Sequence, residues 1–559
     1  MDQTNESKTT SKLNRRGFLN SGLLTGVAAA ALPSFSPRAG VTTSAAPAAL
    51  PPLKPFQLDE ITVAKLQHEV QSGRLTARSI AEKYLTRIEN ADKHGPAINS
   101  VIEINPDALA IAEELDRERK AKGPRGPLHG IPVLIKDNIA TRDRMMTTAG
   151  SLALVGARPP KDAFIVKRLR EAGAVILGKT NLSEWANIRS SHSTSGWSGR
   201  GGLTRNPYAL DRNPCGSSSG SAVAVSANFC TLALGTETDG SIVCPSCVNG
   251  IVGIKPTVGL ASRAGIIPIA HSQDTAGPMA RTVADAAILL GALAGVDADD
   301  PATEASRGKA LTDYTKFLDP SALRGSRIGV VRKFFGISDA VDRLINQALE
   351  EIKRQGAVIV DPADLGTMDQ LGDSELQVLL YELRADLNSY LAALGPGAPV
   401  HTLREIIEFN ERHREKEMPY FGQDLFIKAE GKESLTEKEY LDTLEKNHRL
   451  TQKDGIDAVM EKFQLDALVA PTGGPAWLTD LVDGDHDSGG SSTPAAVAGY
   501  PNINVPAGFV FGLPVGISFF GKAYSEPTLI KLAYAFEQAT RHRRAPQFLP
   551  TADLTTQAH

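Results

Sequence analysis

Hydrophobic residues recur at helical spacing in the first part of the chain that follows the N-terminal fifty residues. Between Leu58 and Lys122 apolar side chains return every three or four positions, which indicates amphipathic helices, one of them over Pro106–Lys120. The pattern then changes to short β-rich runs, Ile131–Ile135 and Ala174–Leu177, around a helical segment, Asp162–Ala172. Short apolar runs that alternate with helices predict an α/β sheet.

Charged residues at helical spacing dominate residues 335–465, whereas short apolar runs return near the C-terminus. The elements predicted from residue 282 onward are a helix Thr282–Ala294, a strand Arg327–Val331, helices Gln377–Leu394, Leu403–Lys416 and Glu437–Gln464, strands Leu465–Pro471, Ile503–Pro506 and Gly516–Phe520, and a helix Thr528–Thr540. A Gly/Ser-rich stretch, 190–277, lies between these helical parts. We therefore interpret residues 51–550 as one interrupted α/β domain, with 335–465 as a helical insertion and 551–559 as a C-terminal tail.

The composition is that of a globular protein without a dominant charge. The chain has 559 residues, 42% of them hydrophobic, and a formal net charge of −4 with both signs mixed throughout. A core of this size needs no metal or disulfide to be stable. Because a phosphate-binding surface requires clustered positive charge, nucleic acid is excluded as a partner.

Residues 1–50 have the features of an export signal. Four basic residues up to Arg16 precede a moderately apolar stretch, Phe18–Leu32, and an Ala/Pro/Ser-rich run follows it. The motif Asn14–Leu19 resembles the twin-arginine export signal. About 15 weakly apolar residues are short for a membrane span, which argues against an anchor. We expect a protein that is exported already folded, is periplasmic or secreted, and has no stable membrane insertion after the signal is removed.

Four cysteines, Cys215, Cys230, Cys244 and Cys247, fall within one short segment. Cys244 and Cys247 form a C-x-x-C pair, but a zinc site would need a second ligand pair, and none stands beside it. The pattern favours cysteines that serve as small apolar residues. A disulfide, including one between Cys244 and Cys247, stays open.

Lys136 ends an apolar β-like run in the motif GIPVLIKDN (130–138). If this lysine is buried, desolvation lowers its pKa and makes a neutral amine available as a base. Taken alone, a lysine at a strand end is more often one that extends into solvent.

Two Gly/Ser motifs follow, CGSSSGS (215–221) and TETDGSI (236–242). The first opens a helix-like run and exposes several N–H groups and hydroxyls. The alternative interpretation of this motif is a flexible linker. In the second, the small Gly240 precedes Ser241, and such a tight turn lets N–H groups converge as an oxyanion hole requires. An ordinary β-turn is the alternative for that motif.

Three further interpretations of these motifs fail on their own requirements. Gly216–Gly220 spells G-x-S-x-G with Ser218 as nucleophile, but the polar, proline-broken segment before it is not the apolar strand that this elbow needs. A phosphate loop lacks its Gly-Lys-Ser/Thr end. The acidic run from Asp483 begins like a calcium loop but has Pro494 where the twelfth position requires Glu.

Together the motifs resemble the amidase-signature family over residues 58–545. The resemblance is carried by GIPVLIKDN, by CGSSSGS and by TETDGSI, which leads into GIVGIKPTVG (250–259). Ser241 also follows Ser217 at the family's interval of 24 positions. The resemblance implies an α/β fold with a large mixed central β-sheet covered by helices on both faces. It implies Ser241 as nucleophile, Ser217 as bridging serine on a cis peptide bond and Lys136 as base. Backbone N–H groups of Thr238, Asp239, Gly240 and Ser241 would form the oxyanion hole.

The resemblance also implies an amidase that needs no metal or organic cofactor, and we expect a monomer. Asp239 and Val243 stand where many members have Gly and Arg, and this form, TETDGSIVCP, is shared with peptide amidases, which hydrolyse the C-terminal amide of peptides. The expected partner is therefore a small-molecule or peptide amide, with Ser190 or Ser191 lining its pocket and Asp137 fixing local geometry. The alternatives are an amidase for aliphatic, aromatic or fatty amides, an inactive binding homologue and a glutamine-hydrolysing amidotransferase subunit.

Overall fold

The computed structural model describes residues 54–555, so the predicted export signal and the last four residues lie outside the described part of the chain. Eleven strands form one mixed sheet in the order β1-β3-β2-β6-β8-β7-β12-β13-β11-β9-β10. The strands are β1 Val101–Ile104, β2 Pro132–Lys136, β3 Val175–Thr180, β4 Trp197–Ser198, β5 Gly202–Leu203, β6 Leu232–Glu237, β7 Val252–Lys255, β8 Thr275–Ala280, β9 Arg327–Val330, β10 Val358–Val360, β11 Ala467–Pro471, β12 Asn502–Val510 and β13 Leu513–Phe520. Strands β4 and β5 form a separate ribbon.

Helices cover this sheet, as the sequence predicts. They are α1 Val63–Gln71, α2 Ala77–Ile88, α3 Ala108–Lys122, α4 Phe164–Glu171, α5 Ser219–Ser226, α6 Val243–Val248, α7 Val283–Leu293, α8 Asp339–Arg354, α9 Ser374–Ala393, α10 Leu403–Arg412, α11 Arg414–Glu417, α12 Asp424–Glu430, α13 Lys438–Thr451, α14 Asp457–Phe463, α15 Thr493–Val497 and α16 Glu526–Thr540. Within residues 54–555, no helix has both the length and the apolar character required to cross a membrane.

The sheet is parallel around β2 and antiparallel over much of the rest. β2 pairs in parallel with both β3 and β6, whereas β6, β8, β7, β12 and β13 pair in antiparallel register. Parallel neighbours place their carboxyl ends at the same edge of a sheet. The C-terminal residues of β2 and β6, Lys136 and Glu237, therefore lie at one edge, where the chemistry-bearing motifs begin.

Local sequence explains individual helices well. In α8 the buried residues recur at intervals of three and four, and Ser338 caps the helix by accepting a hydrogen bond from the Val341 N–H. In α2 the cap residue Thr76 and Ser79 bond to each other's backbone N–H groups. The predicted helix Glu437–Gln464 is divided into α13 and α14, because the backbone at Gly455 leaves the helical region.

Three central strands that periodicity does not predict, β6, β7 and β8, begin within the Gly/Ser-rich stretch 190–277. In β8 a side chain on Gly277 would bring a Cβ within 1.9 Å of the Ile254 carbonyl oxygen, so the close approach of neighbouring backbones requires glycine there. Strand β1 likewise lies in a region where the pattern indicates only helices. These strands depend on non-local pairing, which leaves little trace in a local pattern.

Candidate active site

Lys136 lies at the end of β2 with its side chain fully buried. Its Nζ donates to the Ser217 Oγ at 2.7 Å, to the Thr236 Oγ1 at 2.9 Å and to the Thr236 carbonyl oxygen at 3.2 Å. Burial lowers the pKa of Lys136 from 10.5 to about 7, although the carboxylates of Asp274 and Glu237 act in the opposite direction. A neutral amine is therefore available near neutral pH, and the alternative of a solvent-exposed lysine is wrong.

Ser217 lies in the loop that leads into α5, and the peptide bond between Gly216 and Ser217 is cis. Its carbonyl oxygen accepts a hydrogen bond from the Ser183 N–H at 3.1 Å. The next residue, Ser218, donates its N–H to the carbonyl oxygen of Ser241 at 3.2 Å. The loop of Ser217 is thereby joined directly to the segment that carries Ser241.

Ser241 lies in the turn between β6 and α6. Gly240 has a φ of +80°, a left-handed conformation that favours glycine and allows the chain to turn tightly. The Glu237 carboxylate, at the end of β6, accepts hydrogen bonds from the N–H groups of Ile242 at 2.7 Å and Val243 at 3.0 Å. The two residues that follow Ser241 are therefore fixed by the end of a central strand.

The four predicted oxyanion-hole residues form this same turn. Within residues 54–555, the N–H groups of Asp239, Gly240 and Ser241 donate to no protein acceptor. The side chain of Thr238 is anchored through its Oγ1, which donates to the Asp274 carboxylate at 2.6 Å. Free N–H groups on a rigid turn beside a serine hydroxyl can stabilise a developing oxyanion.

A cavity of about 530 Å³ opens beside Ser241. It is lined by Thr238–Ser241 and by residues from several other parts of the chain, among them Asn187, Ile188, Gly216, Leu379, Trp477, Asp485 and Asp487. The walls combine apolar side chains with many polar groups, a mixture that suits an organic substrate carrying hydrogen-bonding groups. The cavity therefore has room for an amide with an attached chain.

The predicted pocket residues Ser190 and Ser191 are not brought to this cavity. Both hydroxyls donate to the Asp424 carboxylate, Ser190 at 2.8 Å and Ser191 at 2.7 Å, and so tie their segment to the start of α12. Asn187 and Ile188, three positions earlier, line the cavity instead. The substrate-binding prediction for the two serines thus finds no support in this geometry, because Asp424 of α12 engages both side chains.

Asp137 directly follows the proposed base Lys136 and is fully buried. Its carboxylate accepts hydrogen bonds from the side chain of Thr148 and from the Arg200 guanidinium at 3.2 Å. Burial raises the pKa of Asp137, and the Arg200 guanidinium acts against that rise. This network ties the end of β2 to two neighbouring loops, in keeping with a role for Asp137 in local geometry.

The cysteine predictions are partly corrected. Cys215 and Cys244 form a disulfide, whereas Cys230 and Cys247 are buried free thiols. The interpretation as small apolar residues therefore holds for Cys230 and Cys247 and is wrong for the other two. The C-x-x-C pair is not itself bridged, because Cys244 faces the loop of Cys215.

One cluster within the described residues has the side-chain types of a metal site, His271, Glu382 and Asp386. These groups already bond to partners, with the His271 Nδ1 2.8 Å from the Asp386 carboxylate and the Tyr440 hydroxyl donating to Glu382 at 2.8 Å. The acidic loop that begins like a calcium site instead contributes Asp485 and Asp487 to the cavity wall. The side chains of the His271 cluster are thus engaged by protein partners.

Comparison with known proteins agrees with this geometry. Residues 79–530 match the sequence profile of the family described as Amidase. The chain belongs to the amidase-signature family. The protein is therefore a hydrolase that cleaves amide bonds, and enzymes of this family use a Ser-Ser-Lys triad.

Three relatives show the range of the amidase-signature family around this chain. A probable amidase of Arabidopsis thaliana is 44% identical over 88% of this chain and 93% of its own length. The structure of the native peptide amidase from Stenotrophomonas maltophilia superposes with a TM-score of 0.84 at 52% identity, covering 88% of this chain and 100% of that one. A glutamyl-tRNA(Gln) amidotransferase subunit of Halorhodospira halophila is 34% identical over 87% of this chain and 99% of its own length.

Several residues that shape the site are missed by the sequence analysis. Thr236 contacts Lys136, Asn138 donates to the Thr236 Oγ1 at 3.0 Å, and Asp274 holds Thr238. Thr236 and Asn138 lie inside the quoted motifs, so their proximity to the lysine and serine was an available signal. Asp274 has no such signal, because it approaches the site only through the pairing of β8 with β6.

Proposed function

We propose that this amidase hydrolyses the C-terminal carboxamide of peptides and releases ammonia through an acyl-enzyme on Ser241. The observation that carries the hydrolytic part is the buried Lys136, 2.7 Å from Ser217 and with a pKa lowered to about 7, beside the free N–H groups of the Ser241 turn. Support for a peptide amide comes from the 52% identity to a peptide amidase over that enzyme's entire length.

In the proposed reaction, neutral Lys136 accepts a proton from Ser217, which takes one from Ser241 as the Ser241 Oγ attacks the amide carbonyl. The N–H groups of Asp239, Gly240 and Ser241 stabilise the oxyanion, and removal of one such donor typically costs about 3 kcal/mol. The proton then passes through Ser217 to the leaving nitrogen, and ammonia departs. Water hydrolyses the acyl-enzyme and regenerates Ser241.

We also propose that the enzyme works outside the cytoplasm, after export directed by Arg15 and Arg16. The disulfide between Cys215 and Cys244 supports this location, since such bonds persist in oxidising compartments. Replacing both arginines by lysine should retain the full-length protein inside the cell. Equal export of the variant and the native protein would contradict this part of the proposal.

The substrate class is tested by ammonia release from a panel of amides. The panel contains an amidated peptide, its free-acid counterpart, free glutamine and a fatty amide, and we expect turnover of the amidated peptide. Ser241→Ala should abolish activity, whereas Ser321→Ala, at an exposed serine, should leave it unchanged. Turnover of only the fatty amide or only glutamine would refute the peptide proposal. Glutamine is included among the substrates because the chain is 34% identical to an amidotransferase subunit.

A further inference from the structure

The Cys215–Cys244 disulfide joins the two segments that carry the serines of the site. Cys215 lies two residues before Ser217, and Cys244 lies three residues after Ser241. The bond therefore crosses between the Gly/Ser loop and the first turn of α6, beside the proposed nucleophile. The chain itself offers no shorter covalent connection, because 29 residues separate the two cysteines.

Each cysteine is also tied to the backbone of its own segment. The Cys215 carbonyl oxygen accepts from the Ser219 Oγ at 2.6 Å, and the Cys215 N–H donates to the Asn213 Oδ1 at 2.7 Å. On the other side, the Cys244 N–H donates to the Gly240 carbonyl oxygen at 2.8 Å. A displacement of either cysteine is therefore transmitted directly to the residues next to the serines.

Apart from the disulfide, hydrogen bonds also join these segments. The Ser218 N–H donates to the Ser241 carbonyl oxygen at 3.2 Å, and the Ser218 Oγ donates to the Thr236 carbonyl oxygen at 3.0 Å and accepts from the Thr236 N–H at 3.1 Å. Proton relay from Ser241 through Ser217 requires the two hydroxyls to stay within hydrogen-bond reach. A misplacement of about 1 Å can cost about 100-fold in rate. These hydrogen bonds are made by Ser218, the neighbour of Ser217, and the disulfide adds a covalent restraint on the other side of Ser217.

Both Cys215 and Cys244 line the cavity beside Ser241. Small thiols that enter the cavity can therefore reach the disulfide without unfolding the protein. Cys230 differs in this respect, because it is buried in the main core. Cys247 also lines the cavity, but it is a free thiol whose Sγ accepts a hydrogen bond from the Gly516 N–H at 3.2 Å.

We propose that the Cys215–Cys244 disulfide is a positioning element that holds Ser217 against Ser241, so that the oxidised enzyme is active and the reduced enzyme is impaired in turnover. The proposal rests on the roles given to these serines under Proposed function. Reduction by a dithiol transfers two electrons and two protons to the protein, yielding two thiols and the cyclic disulfide of the reductant. Oxidised glutathione reverses the step and leaves two molecules of reduced glutathione.

The test measures kcat and KM of the native enzyme before and after treatment with dithiothreitol. The substrate is an amide that the enzyme hydrolyses in the substrate panel described above, and the assay temperature is well below the unfolding temperature of the enzyme. We expect kcat to fall about tenfold, with a smaller change in KM, and to recover on addition of oxidised glutathione. Thiol labelling under denaturing conditions should report two free cysteines before reduction and four after it. An unchanged kcat in protein with four labelled thiols would overturn the proposal.

Two sets of variants separate positioning from general stabilisation. The Cys215→Ala/Cys244→Ala variant should have the low kcat of the reduced enzyme and no response to dithiothreitol, and the Cys230→Ala/Cys247→Ala variant should keep the response. A disulfide that only stabilises the fold would lower the unfolding temperature and leave kcat of the folded enzyme intact, which refutes the proposal. If the oxidised enzyme hydrolyses no amide, the proposed function fails, while labelling still reports the bond.

Discussion

The pH dependence of catalysis follows most directly from the burial of Lys136. Its pKa lies at about 7 instead of 10.5, so the neutral form needed for a base appears as the pH rises through about 7. We expect kcat/KM to be low in acid, to rise through an apparent pKa near 7 and to reach a plateau on the alkaline side. An exposed lysine in the same role would place this rise more than three pH units higher.

The size of the effect can be worked from these two pKa values. At pH 7 a lysine with a pKa of 10.5 is neutral in about 1 molecule in 3000, whereas one with a pKa of about 7 is neutral in about half. Burial thus raises the reactive fraction at pH 7 about a thousandfold, and the change in pKa itself corresponds to about 5 kcal/mol in favour of the neutral form. Lys136→Ala should accordingly lower kcat/KM by about 10³-fold or more.

The assay is ammonia release from the best amide substrate between about pH 5.5 and about pH 9. Lys136→Arg is the matched control, because a guanidinium keeps the positive charge and hydrogen-bonding capacity but does not lose its proton in this range. We expect it to be inactive at every pH. A flat profile for the native enzyme, or an active Lys136→Arg variant, would refute the assignment of Lys136 as the base.

Three further outcomes follow from the same geometry. Asp274→Asn removes a carboxylate that favours the charged amine, so the acid limb of the kcat/KM profile should move to lower pH, and a shift to higher pH would contradict this electrostatic account. Ser190→Ala/Ser191→Ala should leave KM unchanged, since both hydroxyls bond to Asp424, and a marked rise in KM would restore them to the substrate site. Between about pH 7 and pH 10.5 the unfolded chain holds a proton on Lys136 that the folded chain lacks, so the stability of the fold rises with pH. Urea titrations should show that the free energy of unfolding of the native enzyme, relative to that of Lys136→Met, rises by about 1.4 kcal/mol per pH unit in this range. A difference that stays constant with pH would refute the burial argument.

Elements with strong local signals were predictable from the sequence, and elements that depend on distant pairing were not. Helix α8 repeats its apolar residues with the helical period, and β2 is apolar up to its last residue, Lys136, so each carries its own evidence. Strands β6 to β8 contain glycine and proline, and their stability comes from neighbours in the sheet. Local propensity is weak there because close backbone approach, not side-chain preference, selects the residues.

The site shows the same division between local and distant information. The motifs locate Lys136, Ser217 and Ser241, but the residues alone favour a solvent-exposed lysine, and the resemblance to a family is what changes that interpretation. Burial of Lys136 results from the pairing of β2 with β3 and β6 and from the contact with Ser217, 81 residues away. No local pattern encodes such a contact.

The cysteines make this limit concrete. A rule based on spacing selects Cys244 and Cys247, which are three residues apart and lie in one helix, α6. The fold instead pairs Cys244 with Cys215, whose segments also meet through hydrogen bonds of Ser218 to Ser241 and Thr236. The packing of this loop against this turn is what brings the two cysteines within reach of each other, and spacing along the chain does not encode it. The disulfide and the proposed proton relay therefore depend on the same packing, and a change that separates the two segments should impair both.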